Sequence, residues 1–398
     1  MTGNPVGHNV LFVSACGGIL AFGVVLAVLG TLFGMPGMRD RLHIDLAQQG
    51  DLFLLLYVGI LIASLMVGPL IDHTGHKLVL LISALLVSLG MILFSAAHSI
   101  SASGAAAIAL GLGGGGLNTC TSALVSELYG ERRGPMLNVL GIFFGMGALC
   151  IPLFAASVEG YFTVVQLLIF CSLLAGLCAL AYALLRFPAP TEAHAFSWRE
   201  TLRVATYGGV WLIGVLLLFE SGSEASISGW TSTYANASGL SSRTATLILA
   251  AYWAALMSSR LIAASLLRVM GKSHLILASA VLSVIGCGIL LSAESVLRLS
   301  IGVALIGLSH GPIFPTALAI AGDRYSAVAG TVFGLLFSIA LVGGMTFPWA
   351  VGHVSQRFTI RIGMIVPLIG ALGIWCASAI LVRQSRSAAA SQAEGTAL

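Results

Sequence analysis

The stretch "GPLIDHTGHK", Gly68 to Lys77, places an Asp, two His and a Lys within six residues between two long apolar runs. Each flanking run, 46–71 and 78–98, is long enough to cross a ~30 Å hydrocarbon layer as a helix. A short polar turn between two such runs is what a helical hairpin needs at a membrane surface. The rest of the chain agrees: of 398 residues, 58% are apolar and only 8% charged. Soluble proteins average about 25% charged residues, and so few charges cannot cover a water-exposed surface. The 48 Gly suit membrane helices, whose backbones approach closely through small residues. The sequence is that of an integral membrane protein.

Apolar runs recur along the chain and predict about twelve spans, near 10–35, 46–71, 78–98, 102–128, 135–158, 160–185, 206–235, 242–267, 273–293, 298–322, 327–352 and 361–382. Period-two alternation is missing, which argues against a β-barrel. The first run lacks a basic flank and is too long for a cleavable signal, so it reads as helix one. Lys and Arg mark the cytoplasmic side of membrane proteins. With the N-terminus inside, Lys77, Arg132, Arg133, Arg186, Arg199, Arg203, Arg268, Lys272, Arg324, Arg383 and Arg386 lie inside. Arg39, Arg41, Arg243, Arg298, Arg357 and Arg361 lie outside, a balance of eleven to six. Both termini are therefore expected in the cytoplasm and the protein in the inner (plasma) membrane. The net charge of +4 is a topology signal and gives no support to nucleic-acid binding. The seven Cys all lie in apolar segments without CxxC or metal-like spacing, as small buried hydrophobes would.

A shift of 196 residues lays parts of the sequence on themselves. Leu70, Gly75, Ser83, Ala84, Leu86 and Gly90 meet Leu266, Gly271, Ser279, Ala280, Leu282 and Gly286. Gly111, Leu112, Tyr129, Gly134, Gly147 and Pro152 meet Gly307, Leu308, Tyr325, Gly330, Gly343 and Pro348. The expected organisation is a six-helix bundle at 1–186, a polar cytoplasmic linker at 187–205, and a second six-helix bundle at 206–398 ending in a short cytoplasmic tail. Parallel repeats of this kind place a site between the halves near the midplane. The loops leave no room for a soluble catalytic domain.

The pattern Gly68-x-Leu70-x-Asp72-x-x-Gly75-x-Lys77, between helices two and three, resembles the signature of the major facilitator superfamily. The resemblance implies twelve transmembrane helices in two repeats, all-α, and transport by alternating access. His73 and His76 stand where Arg or Lys is usual, which weakens the fixed positive charge and opens a question of pH sensitivity. The chemistry of the stretch stands apart from the resemblance. Asp72 can meet the positive end of a helix dipole, and Lys77 can pair with a carboxylate. Gly75 permits the tight turn. The cluster "SELYGERRG", Ser126 to Gly134, offers Glu127 to Arg132 or Arg133, and Asp323 with Arg324 falls at its repeat-related place. Asp72, Lys77, Glu127, Arg133 and Asp323 thus read as gating residues without a role in binding substrate.

Ionisable groups at bilayer depth are costly and mark function. Helix seven carries Glu220 and Glu224 one turn apart on one face, in "FESGSEASISGWTSTY"; helix eight carries Arg260, and helix ten His310. Around helix seven the chain resembles the glucose and fucose proton-symporter branch, through Gly222, Glu224, Gly229 and Trp230. "LNVLGIFFGMGALCIP", Leu137 to Pro152, and "GPIFPT", Gly311 to Thr316, look like the same branch. Two departures stand out: Asn118 occupies the place of an acid in helix four, and helix one carries no acid. A coupling proton then falls to Glu224 or Glu220, with Arg260 as counter-charge. For a sugar, Asn118, Asn138, Glu224 and His310 offer hydrogen bonds, and Trp230, Phe143 and Phe144 an apolar face. Plainer readings stay open: Asn118 bonding a neighbouring helix, His310 packed in a core, the two Phe facing lipid.

The glycine run 113–116 lies in an apolar helix without a strand or Gly-Lys-Ser/Thr ending, so it reads as close helix packing and not as a phosphate loop. Without a nucleotide motif, transport would run on gradients and needs no cofactor. Three functions remain. The first is a proton-coupled carrier of a sugar or similar small polar solute, working as a monomer. The second is an exporter of drugs or amphipathic metabolites on the same fold, favoured by the apolar first helix. The third, a membrane sensor or enzyme, lacks a nucleophile–base pair, a metal cluster and an output domain.

Overall fold

A computed structural model describes residues 5–188 and 202–396; most of the 187–205 linker, with Arg199, lies outside them. The described residues are helical nearly throughout. In order they are α1 (Pro5–Leu32), α2 (Met38–Leu42), α3 (Leu46–Ala96), α4 (Ile100–Tyr129), α5 (Arg133–Ser157), α6 (Val164–Leu184) and α7 (Gly208–Ala237). There follow α8 (Ser242–Leu266), α9 (Lys272–Leu291), α10 (Val296–Arg324), α11 (Ala329–Arg357), α12 (Ile360–Gly363) and α13 (Ile365–Thr396).

Among the described residues, eleven helices are long and apolar enough to cross a membrane. One of them, α3, has 51 residues, and straight it would run about 75 Å, more than twice the hydrocarbon thickness. It is broken at Gly75, where φ 79 and ψ 164 lie in a region that only glycine enters cheaply. The two arms of α3 count as separate crossings, joined by the polar stretch Gly68–Lys77, and among the described residues the crossings number twelve. The sequence expectation of an all-α, twelve-helix protein holds.

Surface polarity is inverted relative to a soluble protein. On α6, Leu173, Leu177, Leu180 and Leu184 are all more than half exposed and lie along one helical face. Polar side chains such as Gln49, Thr121, Ser283 and Thr316 are buried. Such a surface suits lipid and not water.

The repeat seen in the sequence returns in the packing. Ser99 and Ser295, 196 residues apart, each cap their helix, accepting from the amides of Ala102 and Arg298 at 3.3 Å. A Cβ on Gly90 would stand 3.0 Å from the Leu110 amide nitrogen, and one on Gly286 the same distance from that of Ile306. The glycine run serves as expected: a Cβ on Gly113 would come within 2.6 Å of both Ser83 O and Val87 N, so any larger residue would push α3 and α4 apart. The cysteines depart from expectation. Cys16, Cys120, Cys171 and Cys287 are buried, but Cys150 and Cys376 are exposed on apolar helices, where a thiol tolerates lipid as well as core.

The chain falls into two compact units. One is drawn from Met1–Ala195 and Gly229–Ala250, the other from Phe196–Ser228 and Ala251–Leu398. Residues of α7 up to Ser228 thus belong to one unit, and those from Gly229 onward to the other.

Candidate functional site

The first part of α7 and the neighbouring α8 assemble the charged groups that sequence singled out. Glu220 is 1% exposed, and its Oε2 accepts a hydrogen bond from the Ser221 hydroxyl at 3.1 Å. Its Oε1 finds no hydrogen-bond partner among the described residues. Glu224, one turn on, is part-buried. Arg260 acts electrostatically on both carboxylates, and Glu224 acts on Glu220. The spacing of four residues puts both acids on one face of the helix, and the structure brings that face to Arg260. Two carboxylates and one guanidinium leave a single negative charge to be met from elsewhere. In a membrane interior that requirement is strong, and a proton or a cation fulfils it.

His310 belongs to the same unit but is sealed. It is fully buried, with Nδ1 3.0 Å from the Tyr252 hydroxyl and Nε2 3.5 Å from Ser283 Oγ. The Tyr252 ring meets it edge-on at 6.1 Å. The packed reading left open by the sequence describes this conformation.

The remaining residues expected to contact solute fall in the other unit and are not equivalent. Asn118 is part-buried in α4, beside the glycine run. Asn138 is exposed five residues into α5, close to the helix end that carries Arg133. Phe143 is part-buried, and Phe144 tilts against Phe22 at 5.6 Å. Trp230 is fully buried against Phe53, ring centroids 5.9 Å apart, so in this conformation its indole offers no open face.

Sequence reasoning missed a neutral polar cluster around the far part of α7. Gln49 Nε2 donates to Thr233 Oγ1 at 3.0 Å, and Asn236 Nδ2 donates to Gly34 O at 2.8 Å. Gln49 Oε1, Asn236 Oδ1 and Ser232 Oγ are buried and find no hydrogen-bond partner among the described residues. Gly229 lies against Phe53: a Cβ there would come within 2.8 Å of the ring. The signal was present in "WTSTYAN", Trp230 to Asn236, whose polar residues recur too often for a lipid-facing segment.

The residues expected to gate separate into exposed and paired. Asp72, Lys77 and Arg133 are exposed. Glu127 reaches the buried His76, Oε2 to Nε2, at 3.8 Å, a contact the expected pairing with Arg132 or Arg133 did not foresee. Asp323 forms an ion pair with Lys272.

A family model described as Major Facilitator Superfamily matches residues 15–348. An uncharacterized transporter, y4wD, of Sinorhizobium fredii is 24% identical over 368 residues, covering 89% of this chain and 94% of that protein. Sodium-dependent glucose transporter 1 of Rattus norvegicus is 28% identical over 141 residues, only 35% of this chain and 29% of its own length. Three solved structures share the fold. The D-xylose-proton symporter superposes with a TM-score of 0.75 at 16% identity, covering 92% of this chain and 97% of its own. The D323A mutant of the nucleoside transporter NupG gives 0.76 at 13%, covering 94% and 99%. A bacterial homolog of the human lysosomal transporter Spinster, inward-facing and unoccupied, gives 0.78 at 12%, covering 96% and 99%. With twelve crossings, a duplicated architecture and a match over most of its length, the chain belongs to the Major Facilitator Superfamily.

Proposed function

We propose that the protein is a secondary active transporter that carries a sugar or a similarly small polar solute by alternating access, coupled to protons. The observation that carries this reading is the Glu220–Glu224–Arg260 group, whose unbalanced charge gives a proton a place to bind inside the membrane. Neighbours named for a D-xylose–proton pair and for a nucleoside support a small polar solute. The relative named for sodium and glucose supports a sugar and makes sodium the competing coupling ion. The halves 1–186 and 206–398 are the two repeats, with both termini cytoplasmic in the inner membrane and the monomer as the working unit. Asp72, Lys77, Glu127, Arg133 and Asp323 then act at the cytoplasmic end as gates. Asn118, Asn138, Phe143, Phe144 and Glu224 contact solute. Trp230 and His310 join them only in a conformation that uncovers them.

The test is uptake by proteoliposomes of the purified chain. Radiolabelled D-xylose, D-glucose, L-fucose and uridine are offered under a pH gradient, a sodium gradient or neither. A sugar should accumulate when the outside is acid, and a protonophore should abolish the accumulation. Accumulation of uridine alone removes the sugar assignment, and response to sodium alone removes the proton. Equilibration indifferent to every gradient would make the protein a facilitator.

A further inference from the structure

The 196-residue shift that relates the two repeats places Lys272 opposite His76 and Asp323 opposite Glu127. The structure joins both couples: His76 to Glu127 and Lys272 to Asp323. Each repeat therefore brings a basic and an acidic side chain together, one from the start of its third crossing and one from the end of its fourth. The turns themselves differ. Gly75 has φ 79, whereas Gly271 has φ −70 and ψ 152, which any residue adopts.

The surroundings differ more. Lys272 and Asp323 are 37% and 66% exposed, so both charges keep much of their water. His76 is 2% exposed and Glu127 46%. His76 Nε2 finds no hydrogen-bond partner among the described residues, and 3.8 Å to Glu127 is beyond hydrogen-bond reach. Glu127 on α4 and Asp72 on its own helix are the two groups that act electrostatically on it. The Cys120 thiol of α4 donates to the His76 carbonyl oxygen at 3.7 Å, leaving the ring alone. From α6, which also packs on α3, no Asp, Glu, Lys, Arg or His is available over Val164–Leu184.

These facts set the sign of the response. A neutral imidazole suits this pocket. A protonated one would be a buried cation facing a half-exposed carboxylate without a hydrogen bond. Attraction to a solvent-screened partner is weak. Desolvating an ion without hydrogen-bond compensation costs several times more. Burial accordingly pulls the His76 pKa below the usual histidine value, against the opposing pull of Glu127 and Asp72. The packed turn is fully stable above the ordinary histidine pKa of about 6.5 and weakens as the pH falls below it.

We propose that the Gly75–His76 turn is an acid-opened latch: neutral His76 seals the turn onto α4, and protonation drives the imidazolium out to water. The water-exposed Lys272–Asp323 pair is its counterpart in the second repeat, without a buried imidazole. The inference goes beyond the transport reading, and its test needs no substrate.

Hydrogen–deuterium exchange by mass spectrometry on the full chain in lipid nanodiscs, from pH 8 to pH 5, reads the latch directly. Rates are corrected for the intrinsic pH dependence of exchange, and segment 264–275 in a His274→Gln background is the reference. Exchange in segment 68–79 should rise about three- to tenfold as the pH falls through about 6.5, while the reference stays flat. His76→Gln should hold the segment protected at every pH, and His73→Gln should behave as the parent chain does. His76→Lys should leave the segment open throughout. Protection that rises in acid would mean that the ionic attraction to Glu127 wins, and the proposal falls. It falls equally if the parent chain shows no pH dependence or if the His76→Gln chain keeps it. Should His76→Lys fail to fold, the parent and His76→Gln chains still decide.

Discussion

The two parts of α7 bury polar chemistry of opposite kinds. Up to Ser228 the helix presents Glu220 and Glu224 to Arg260, a charged group that does not balance. From Gly229 onward it presents Trp230, Thr233 and Asn236, all neutral, to Phe53, Gln49 and Gly34. A neutral polar atom left unpaired in an interior costs about 1–3 kcal/mol, which a packed helix can absorb. A charge left unpaired at bilayer depth costs more and must be met by an ion, a proton or movement. On the proposed function, the charged part is the one that would take up an ion, and the neutral part is a packed contact without a charge to satisfy.

The largest expected effect lies at the charged part and is functional. Glu224→Gln removes the outstanding negative charge and keeps much of the hydrogen-bonding capacity. The variant should still exchange solute across proteoliposomes but should lose accumulation driven by an imposed pH difference. Glu220→Gln should be milder, because the sugar-symporter resemblance falls on Glu224. Proton-driven accumulation surviving in Glu224→Gln would end its assignment as proton carrier and leave the contrast between the two parts without its functional half.

Arg260→Gln tests the charge count itself. It leaves two carboxylates on one helix face without the cation that acts on both. Because Glu224 and Arg260 are only part-buried, the loss should stay below the roughly 3–5 kcal/mol of a fully buried broken pair. Thermal unfolding in detergent should shift down sharply. Adding Glu220→Gln returns the group to one net negative charge and should recover most of the loss. If the double variant is no more stable than the single, charge balance is not what holds this part together.

Next comes the aromatic contact in the neutral part. Trp230→Ala empties a fully buried site against Phe53 and should cost about 3 kcal/mol. Trp230→Phe keeps a ring there and should cost much less. Equal losses in the two variants would mean that the indole NH, and not ring packing, carries the stability.

The sequence spoke clearly where one residue type settles the matter. The crossings followed from runs of apolar residues, the break in α3 from the polar stretch around Gly75, and the close helix contacts from the run 113–116. The Glu220–Glu224 face followed from helical spacing alone. What stayed hidden were contacts between residues far apart in sequence whose own chemistry is ambiguous. Gln49 sits near the start of α3, where a glutamine passes for a surface residue, and its partner Thr233 is 184 positions away. His310 suits a binding site and a packed core equally well; Tyr252 and Ser283, on two other helices, decide for packing in this conformation. Glu127 had two arginines within six residues, and proximity in sequence gave no hint of its contact with the buried His76.

The smallest effect is the one that most sharpens the contrast. Gln49→Met keeps the side-chain length and loses the hydrogen bond to Thr233 Oγ1. It also removes Gln49 Oε1, an acceptor buried without a hydrogen-bond partner among the described residues. Thr233 only accepts in that bond, so its own O–H stays free to bond back to a carbonyl of its helix with or without the amide, and no donor is orphaned. One bond lost and one orphaned acceptor removed nearly cancel, so unfolding should move by no more than about 1 kcal/mol in either direction. Gln49→Glu changes the same side chain by little in shape but places a carboxylate in a fully buried site beside the neutral Thr233 hydroxyl. That variant should be destabilised far more than Gln49→Met, approaching the loss in Arg260→Gln. Similar losses for Met and Glu would show that this position responds to shape and not to charge, and the division of α7 into a neutral and a charged part would lose its physical basis.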